Sequence, residues 1–441
     1  MLQSRRAQAR VVLAGIRVML IICAILCLSC SSSVERGSVG VEKAGRWRIG
    51  RPIVTYWAGP PMTEATAKQM AEGGWNLVWC RENEMDVAHR YGLRCYLYDP
   101  LLNPKNLDTP AETARLDAFI ERVRNHPALY AYHLKDEPGV SMFPDLGRLV
   151  SRLRERDQAH LAYINLYPTY ANLRHLGTQG DTVSAYTEYL RRFVEVFRPD
   201  LISYDHYHFA TTGDGKEYFL NLALIRQAAL DANVPFLNII QACSWTPSMR
   251  IPNGDELRWL VYTSLAYGAQ GISYYVYCHP KHNGAMALAD GTPTPLYHAA
   301  KVLNREFAAI ATELQGLRSL GAYHVGMTPP GAQPLPEKAA FQLDPPVAAM
   351  EYKPPQPVRG FVLGFFGESG ARGGPERATH VLVVNLDYKQ SAATGLTGRG
   401  RIETFDATTG KWSAAASARS DGLTTFTLPS GGGKLVRVSP E

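Results

Sequence analysis

The sequence predicts an α/β protein: a (β/α)8 TIM barrel followed by a small C-terminal antiparallel β-sandwich. Between residues 51 and 320, short apolar runs rich in β-branched and aromatic residues alternate eight times with amphipathic helical segments. Eight such units over this length are typical of a parallel sheet closed into a barrel. After residue 320, proline pairs and short β-type runs separated by turn residues replace this alternation, which indicates a sandwich over residues 321–441.

The predicted barrel strands share a run of apolar or aromatic residues that ends at a polar or turn-forming residue. They cover residues 53–57, 76–80, 93–99, 129–138, 161–166, 201–204, 236–240 and 271–277. The helices between them place apolar residues three and four positions apart. They cover residues 62–71, 84–91, 111–124, 144–156, 182–197, 217–232, 255–267 and 295–317. An open doubly wound sheet is the alternative, but no glycine-rich phosphate loop follows any of these strands.

The C-terminal region contains five runs that predict strands of the sandwich. They cover residues 360–366, 380–387, 401–405, 423–428 and 434–438. Turn pairs such as Thr409-Gly410 and Asp421-Gly422 separate several of them.

The N-terminal segment has the features of an export signal. Four arginines precede the apolar run at residues 18–28, which is shorter than a typical membrane-spanning helix. The segment 1–30 resembles a bacterial lipoprotein signal in which Cys30 is the lipidated residue, and residues 31–50 are predicted to be a tether. Cys27 stands where such signals usually have leucine, so plain secretion or an uncleaved anchor remain open. We expect an exported protein, periplasmic or at the cell surface, that meets the membrane only through this anchor.

Composition and charge limit the partners. The chain has 46 Lys and Arg against 40 Asp and Glu, a net charge of +6, and the basic residues form no stripe. Nucleic acid is therefore not an expected partner. Cys80, Cys95, Cys243 and Cys278 have no metal-ligand spacing, so we expect buried thiols, with Cys80–Cys95 the pair to test for a disulfide. No metal or other cofactor is predicted, and the oligomeric state is open.

The fourth predicted strand ends in two adjacent carboxylates, Asp136 and Glu137, followed by Pro138. Catalytic groups of (β/α)8 barrels lie at the C-terminal ends of the strands. A carboxyl whose pKa is raised by a carboxylate neighbour stays protonated more easily and can act as a proton donor. In a regular strand, however, Lys135 and Glu137 would face one side and Asp136 the other. A catalytic interpretation therefore requires the strand to lose its regularity near Asp136; the alternative is an Asp-Glu-Pro turn that caps the next helix.

Aromatic and polar side chains at other strand ends complete the predicted site. Aromatic faces can stack on the apolar face of a sugar ring, and their presence on several strand ends favours a carbohydrate cleft. The candidates for substrate binding are Trp57, Trp79, Tyr98, Asn165, His206, Tyr207, Gln241, Trp245 and Tyr275. His206 and His208 flank Tyr207, but no third metal ligand stands at a credible position, so hydrogen bonding to sugar hydroxyls is their expected use.

Several of these strand ends resemble the retaining glycoside hydrolases of the large barrel clan, which includes bacterial β-galactosidases and many endoglycanases. The motif Asp136-Glu137-Pro138 resembles the clan's acid/base motif on the fourth strand, and residues 204–208 resemble its His-x-Tyr-like element on the sixth. Residues 257–275 and the C-terminal segments 405–412 and 428–433 are also similar. The resemblance implies a glycoside hydrolase with Glu137 as the general acid/base.

One position departs from the clan's pattern. Its nucleophile is a glutamate at the end of the seventh strand, where this sequence has Gln241, and an amide cannot form a glycosyl-enzyme intermediate. Three alternatives follow: Asp205 acts as base or stabiliser; Asp136 orients a substrate acetamido group, as in hexosaminidase-like families; or the protein binds glycans at the surface without cleaving them. The sugar, the linkage, exo or endo action and the stereochemical outcome are left open.

Overall fold

Eight parallel strands form the barrel in a computed structural model that describes residues 46–368, 373–414 and 423–439. They are β1 Ile53–Trp57, β2 Leu77–Cys80, β3 Arg94–Leu97, β4 Leu129–Asp136, β5 Leu161–Leu166, β6 Ile202–His206, β7 Phe236–Gln241 and β8 Gly271–Tyr275. Neighbours pair in the order β1-β8-β7-β6-β5-β4-β3-β2. The gap between β1 and β2 is bridged where Asn76 N–H donates to Val54 O at 3.0 Å and Trp79 Nε1 donates to Tyr56 O at 2.7 Å. The predicted barrel is confirmed.

The barrel strands are connected by helices α1 Glu64–Glu72, α2 Met85–Arg90, α3 Pro110–Val123, α4 Phe143–Arg156, α5 Thr182–Phe197, α6 Tyr218–Ala232, α7 Gly254–Ala266 and α8 Pro295–Leu314. Side chains cap several of them: Thr109 accepts from the N–H of Glu112, and Asn253 and Glu256 form a reciprocal capping box. A one-turn helix, Leu173–Leu176, lies between β5 and α5 and was not predicted. No helix of the described residues is long and apolar enough to span a membrane.

Inward-facing side chains fill the barrel, as the two-residue period of a strand requires. The inner layer includes Leu77, Ala131, Tyr163 and Ile239. Trp47, within the predicted tether, belongs to the same cluster: it is buried, its ring lies 5.5 Å from that of Tyr130, and its N–H donates to Gln158 O. Residues 46–50 are therefore part of the barrel, which corrects that end of the predicted tether. Cys30, the predicted signal and residues 31–45 lie outside the described residues.

Ten strands follow the barrel in the described residues. They are β9 Leu317–Gly326, β10 Gln333–Pro334, β11 Phe341–Asp344, β12 Gly360–Glu368, β13 His380–Asn385, β14 Ala392–Gly398, β15 Ile402–Asp406, β16 Lys411–Ala414, β17 Leu423–Leu428 and β18 Gly433–Val438. One sheet has the order β10-β9-β12-β13-β18-β15-β16 and the other β11-β14-β17. All the pairings are antiparallel except β9 with β10. The predicted sandwich is confirmed, although half of its strands were not foreseen.

Strand β12 joins the sandwich to the barrel because the side chains on its two faces pack into two different hydrophobic cores. Phe361 and Leu363 pack between the two sheets, whereas Val362 and Phe366 belong to the core around the barrel helices. Helix α7 packs on β12 and β13, and its Trp259 donates Nε1–H to Leu386 O at 3.1 Å. The sandwich thus buries one side of the barrel and leaves the C-terminal ends of the strands open.

The four cysteines outside the N-terminal segment are free thiols. Cys80 on β2 and Cys95 on β3 lie side by side in the core, with 3.0 Å between their sulfur atoms. Cys243 is also buried, and Cys278 is half-buried.

Candidate active site

A cavity of about 510 Å³ opens at the C-terminal ends of the barrel strands. It is lined by Trp57, Asp136, Glu137, Asn165, Tyr170, Asp205, Tyr207, Trp245, Thr246, Ser248, Met249 and Tyr275. Eight of these residues were predicted for the site from separate strand ends, and the barrel brings them together. This is the face of the fold where barrel enzymes carry out their chemistry.

A β-bulge in β4 decides which carboxylates face the cavity. His133 pairs with Tyr163 of β5, but the next pair is Lys135 with Ile164, so Leu134 is an extra residue in the strand. The shift puts Asp136 opposite Asn165 and on the inner side of the barrel. If the same residues ran as a regular strand without the bulge, their alternation would turn Asp136 outward. The irregularity that the catalytic interpretation required is therefore present.

The side chain of Glu137 also faces the cavity, because the backbone of this residue is left-handed, with φ of +42°. A non-glycine residue in this region is strained, and such strain persists where the surroundings hold it. Two hydrogen bonds hold this turn: Glu137 N–H donates to Asn165 O at 2.9 Å, and the Tyr189 hydroxyl donates to Pro138 O at 2.9 Å. The turn places Asp136 and Glu137 on the same cavity although they are adjacent in the chain.

Asn165 connects the carboxylates of two strands. Its Nδ2 donates to Asp136 Oδ1 at 3.1 Å and to Asp205 Oδ1 at 2.9 Å. Its Oδ1 accepts from the Ser203 hydroxyl at 3.0 Å, and Ser203 in turn contacts the Tyr163 hydroxyl at 2.8 Å. The hydrogen bond from Ser203 therefore sets the orientation of the Asn165 amide, and both Nδ2 hydrogens are directed at carboxylates.

Burial raises the pKa values of all three carboxyls, and repulsion from neighbouring carboxyls adds to the shifts of Glu137 and Asp205. Burial, followed by the charge of Asp136, raises the pKa of Glu137 to about 7. Burial, with Glu137 and Asp136 as neighbours, raises the pKa of Asp205 well above its ordinary value. The pKa of Asp136 is also raised by burial, but the Asn165 hydrogen bond and Lys135 counteract that shift. Asp136 opens onto the cavity, whereas Asp205 is only 3% exposed, so Asp136 is the carboxyl best placed to carry a negative charge.

Glu137 and Asp205 are in hydrogen-bond contact, so one of the two carboxyls carries the shared proton. The pair is thus arranged to hold a proton between its two carboxyls.

Aromatic rings form the cavity walls. Tyr207, Trp245 and Tyr275 surround one another with ring centroids 4.6–5.0 Å apart. Trp57 is not part of this group, and its ring centroid lies 5.4 Å from that of His133. Tyr170, which was not predicted, also lines the cavity, and its hydroxyl accepts from Tyr207 N–H at 3.2 Å. Its place in the β5–α5 connection carried no sequence signal beyond an aromatic residue after a strand end.

A loop that was not predicted to contribute also lines the cavity. Thr246, Ser248 and Met249 follow β7 and line one side. A two-residue strand pair, Cys243–Ser244 with Asn283–Gly284, positions this loop. No pattern in these short polar stretches distinguishes them from other loops.

Gln241 does not line the cavity, which corrects its predicted role. Its Nε2 donates to Phe209 O at 2.9 Å and to Arg250 O at 2.7 Å, and its Oε1 accepts from Phe209 N–H at 2.8 Å. A carboxylate in this place could accept but not donate. The amide is used to join the loops after β6 and β7.

Three other predicted residues also lie outside the cavity. His206 follows Asp205 and therefore faces outward, where it is buried and hydrogen-bonded to Asn221 at 2.9 Å; burial lowers its pKa to about 3. Trp79 packs inside the barrel mouth beside Trp57. Tyr98 is 48% exposed and lines a neighbouring depression. No cluster of His, Cys, Asp and Glu in the described chain is arranged to hold a metal ion.

Known proteins resemble this chain in structure. No protein-family model matches the chain, and a search of curated protein sequences finds no match. A solved structure titled "Glycoside hydrolase" aligns at 13% identity over 91% of this chain and 96% of its own, with a TM-score of 0.50. A GH42 β-galactosidase from G. stearothermophilus aligns at 9% identity over 88% and 98%, also with a TM-score of 0.50.

A third match spans less of the matched protein. A β-galactosidase from the psychrophilic Marinomonas ef1 aligns at 12% identity over 63% of this chain and 63% of its own, with a TM-score of 0.45. At these identities the comparisons show the fold alone. The chain has the fold of barrel glycoside hydrolases, and the resemblance predicted from its motifs is confirmed at that level.

Proposed function

We propose that the protein is a glycoside hydrolase that cleaves O-glycosidic bonds of an oligo- or polysaccharide, with Glu137 as the general acid/base. The observation that carries the proposal is the carboxyl cluster of Asp136, Glu137 and Asp205 beneath aromatic walls at the C-terminal face of the barrel. A pKa of about 7 leaves Glu137 largely protonated in mildly acidic solution and about half protonated at neutral pH, as a proton donor must be. Once it has protonated the leaving oxygen, Glu137 is a carboxylate and can activate the water that completes hydrolysis.

Asp136 is the group we assign to the developing positive charge at the anomeric carbon. Asp205 is buried with a strongly raised pKa, which favours its protonated form and makes it a poor nucleophile or base. Asp136 faces the cavity and accepts a hydrogen bond from Asn165. In this proposal Asp205 and Asn165 position the pair, and Asp136 acts either directly on the sugar or by orienting a substrate acetamido group.

The test uses Glu137→Gln on two kinds of substrate. A glycoside with a poor leaving group needs protonation, so its hydrolysis should fall at least a hundredfold. A 2,4-dinitrophenyl glycoside of the same sugar needs little or no protonation and should lose far less. The matched control is Asp231→Asn, an exposed carboxylate on α6, which should leave both rates unchanged. Equal losses on both substrates, or full activity of the variant, would reject Glu137 as the acid.

A second candidate function is glycan binding without cleavage. The observation that favours it is Gln241, which occupies the nucleophile position of the similar barrel enzymes and is committed to backbone hydrogen bonds. Binding on a glycan array together with no released sugar from any bound ligand would support this function. Measurable turnover that depends on Glu137 excludes it.

A further inference from the structure

We propose that a second depression beside the carboxyl cluster is a subsite for a further, uncharged sugar unit of the same glycan. The inference rests on the proposed function and deepens it, because it makes the substrate a chain of sugars that crosses the mouth of the barrel. The depression has a volume of about 580 Å³ and lies between the segments that follow β3 and β4. Its lining includes Tyr98, Lys105, His133, Lys135, Asp136 and Met142.

The depression and the active-site cavity are neighbours, because Asp136 lines both. A sugar placed over Glu137 therefore has open space on the side of β3 and β4 as well as on the side of β5 to β8. A site for a single sugar would need only the first cavity. A space on each side of Asp136 is what a glycan chain with units on both sides of the cleaved bond requires.

Tyr98 supplies the aromatic surface of this second space. Its side chain follows β3 and is 48% exposed. It also lines a further hollow of about 760 Å³ with Arg81 and Glu82, so its ring stands between two open spaces. An exposed ring in this position can stack on the apolar face of a pyranose.

His133 contributes its ring to the wall of the depression. It lines the depression, and its buried Nδ1 makes no hydrogen bond within the described part of the chain. The ring packs against Trp79 at 4.6 Å and Trp57 at 5.4 Å, which fixes its orientation. The imidazole ring therefore forms a fixed part of the wall of the depression.

The charges of the wall favour an uncharged sugar. Lys105, Lys135 and Arg148 are balanced by Asp99, Asp108 and Asp145, and Asp136 adds one more carboxyl. Arg148 is already paired with Asp108 at 3.1 Å and with Asp145 at 3.4 Å. The wall has no surplus of cations to select a uronic acid or a sulfated sugar. Hydroxyl groups are the ligand chemistry that these mixed donors and acceptors match.

The test compares substrates of increasing length with wild-type protein, Tyr98→Ala and Tyr98→Phe. The probes are p-nitrophenyl monosaccharide glycosides and β-linked gluco-, xylo- and galacto-oligosaccharides of two to six units. For the active sugar, Tyr98→Ala should lower kcat/KM for the longest chain about tenfold more than for the p-nitrophenyl monosaccharide. Tyr98→Phe should keep the wild-type ratio because the ring remains. Val302→Ala, an exposed apolar residue on α8, is the control and should change neither rate.

A binding arm separates failure of this inference from failure of the proposed function. Calorimetric titration of the Glu137→Gln variant with the same oligosaccharides should show affinity that rises with chain length, and adding Tyr98→Ala should remove most of that gain. If no probe is hydrolysed by the wild-type protein but this length dependence is present, hydrolysis fails and the subsite stands. If hydrolysis occurs but affinity and kcat/KM are independent of length, or Tyr98→Ala affects short and long substrates equally, the subsite is overturned.

Discussion

The side-chain amide of Gln241 and the backbone of Phe209 form two reciprocal hydrogen bonds, Nε2 to O at 2.9 Å and N–H to Oε1 at 2.8 Å. A third bond, from Nε2 to Arg250 O at 2.7 Å, uses the remaining amide hydrogen. Gln241 is fully buried, so each of these groups would be costly to leave unpaired. The glutamine is therefore required by the loops that it joins, and its presence at the end of β7 has a structural cause.

Gln241→Glu should destabilise the protein rather than create a nucleophile. An ionised carboxylate cannot donate to the two carbonyls and would repel them, and we expect a loss of about 3 kcal/mol in the free energy of unfolding. The loss should be larger at pH 8 than at pH 5, because protonation restores one donor. Urea denaturation at both pH values measures it.

Gln158→Glu is the matched control for that substitution. Gln158 is exposed after α4, so the same chemical change should alter the free energy of unfolding by less than about 0.5 kcal/mol. A Gln241→Glu protein as stable as wild type at pH 8 would show that the buried amide is not needed.

Deletion of Leu134 tests the bulge in β4. Removing the extra residue should leave a regular ladder in which Lys135 still pairs with Ile164 and Asp136 still pairs with Asn165 on the inner side, so most of the hydrolysis should remain. Circular dichroism and urea denaturation report whether the barrel persists, and kcat/KM on the best substrate reports the site.

Leu134→Ala separates the bulge from the loss of a buried side chain. It keeps the chain length and the register, so most of the activity should remain while stability falls by about 2 kcal/mol. Loss of hydrolysis in the deletion but not in Leu134→Ala would mean that the bulge itself, and not only the pairing of Asp136 with Asn165, positions the carboxylates.

The pH dependence of kcat/KM should show the protonation state of Glu137. Its pKa is raised to about 7, and the protonated form is the active acid, so kcat/KM should fall about tenfold per pH unit above that value. Measurement from pH 5 to 9 locates this limb. A 2,4-dinitrophenyl glycoside, whose leaving group needs little protonation, should lack it. A rate that rises through pH 7 would contradict the assignment.

The raised pKa of Glu137 also makes the fold less stable as the pH rises. The ordinary value is 4.5 and the folded value is about 7, so between them the native state holds a proton that the unfolded chain has released. Stability therefore decreases through this window and stays lower above it. Glu137→Gln removes the titration and should be more stable than wild type by roughly 1–2 kcal/mol at pH 8, allowing for screening by cavity water.

Denaturation with urea at pH 4.5 and at pH 8 measures that difference. The two proteins should be nearly equally stable at the lower pH. Asp231→Asn, at an exposed carboxylate, should show no such change in its difference from wild type. An advantage of Glu137→Gln that is constant with pH would mean that ionisation of Glu137 does not oppose folding.

The predictable parts of this protein are those set by local pattern. Alternating apolar runs and amphipathic segments identified the barrel, and the position of Asp136 and Glu137 at a strand end identified the candidate acid. The sandwich strands that were not foreseen include β14, which contains glycine, threonine and alanine in place of a strong β-forming run. The outward direction of His206 follows from the period of two residues once Asp205 is taken to face inward.

The sequence by itself determined the strand–helix order, the Asp136-Glu137 pair and the absence of a glutamate at the end of β7. Only the tertiary structure decided which carboxylates meet, because Asn165 joins residues from two other strands and the register of β4 depends on pairing with β5. It also decided that Gln241 serves the loops, since its partners lie 32 and 9 positions away. Contacts between distant segments and the facing of a bulged strand depend on how the closed barrel packs, which no local pattern records.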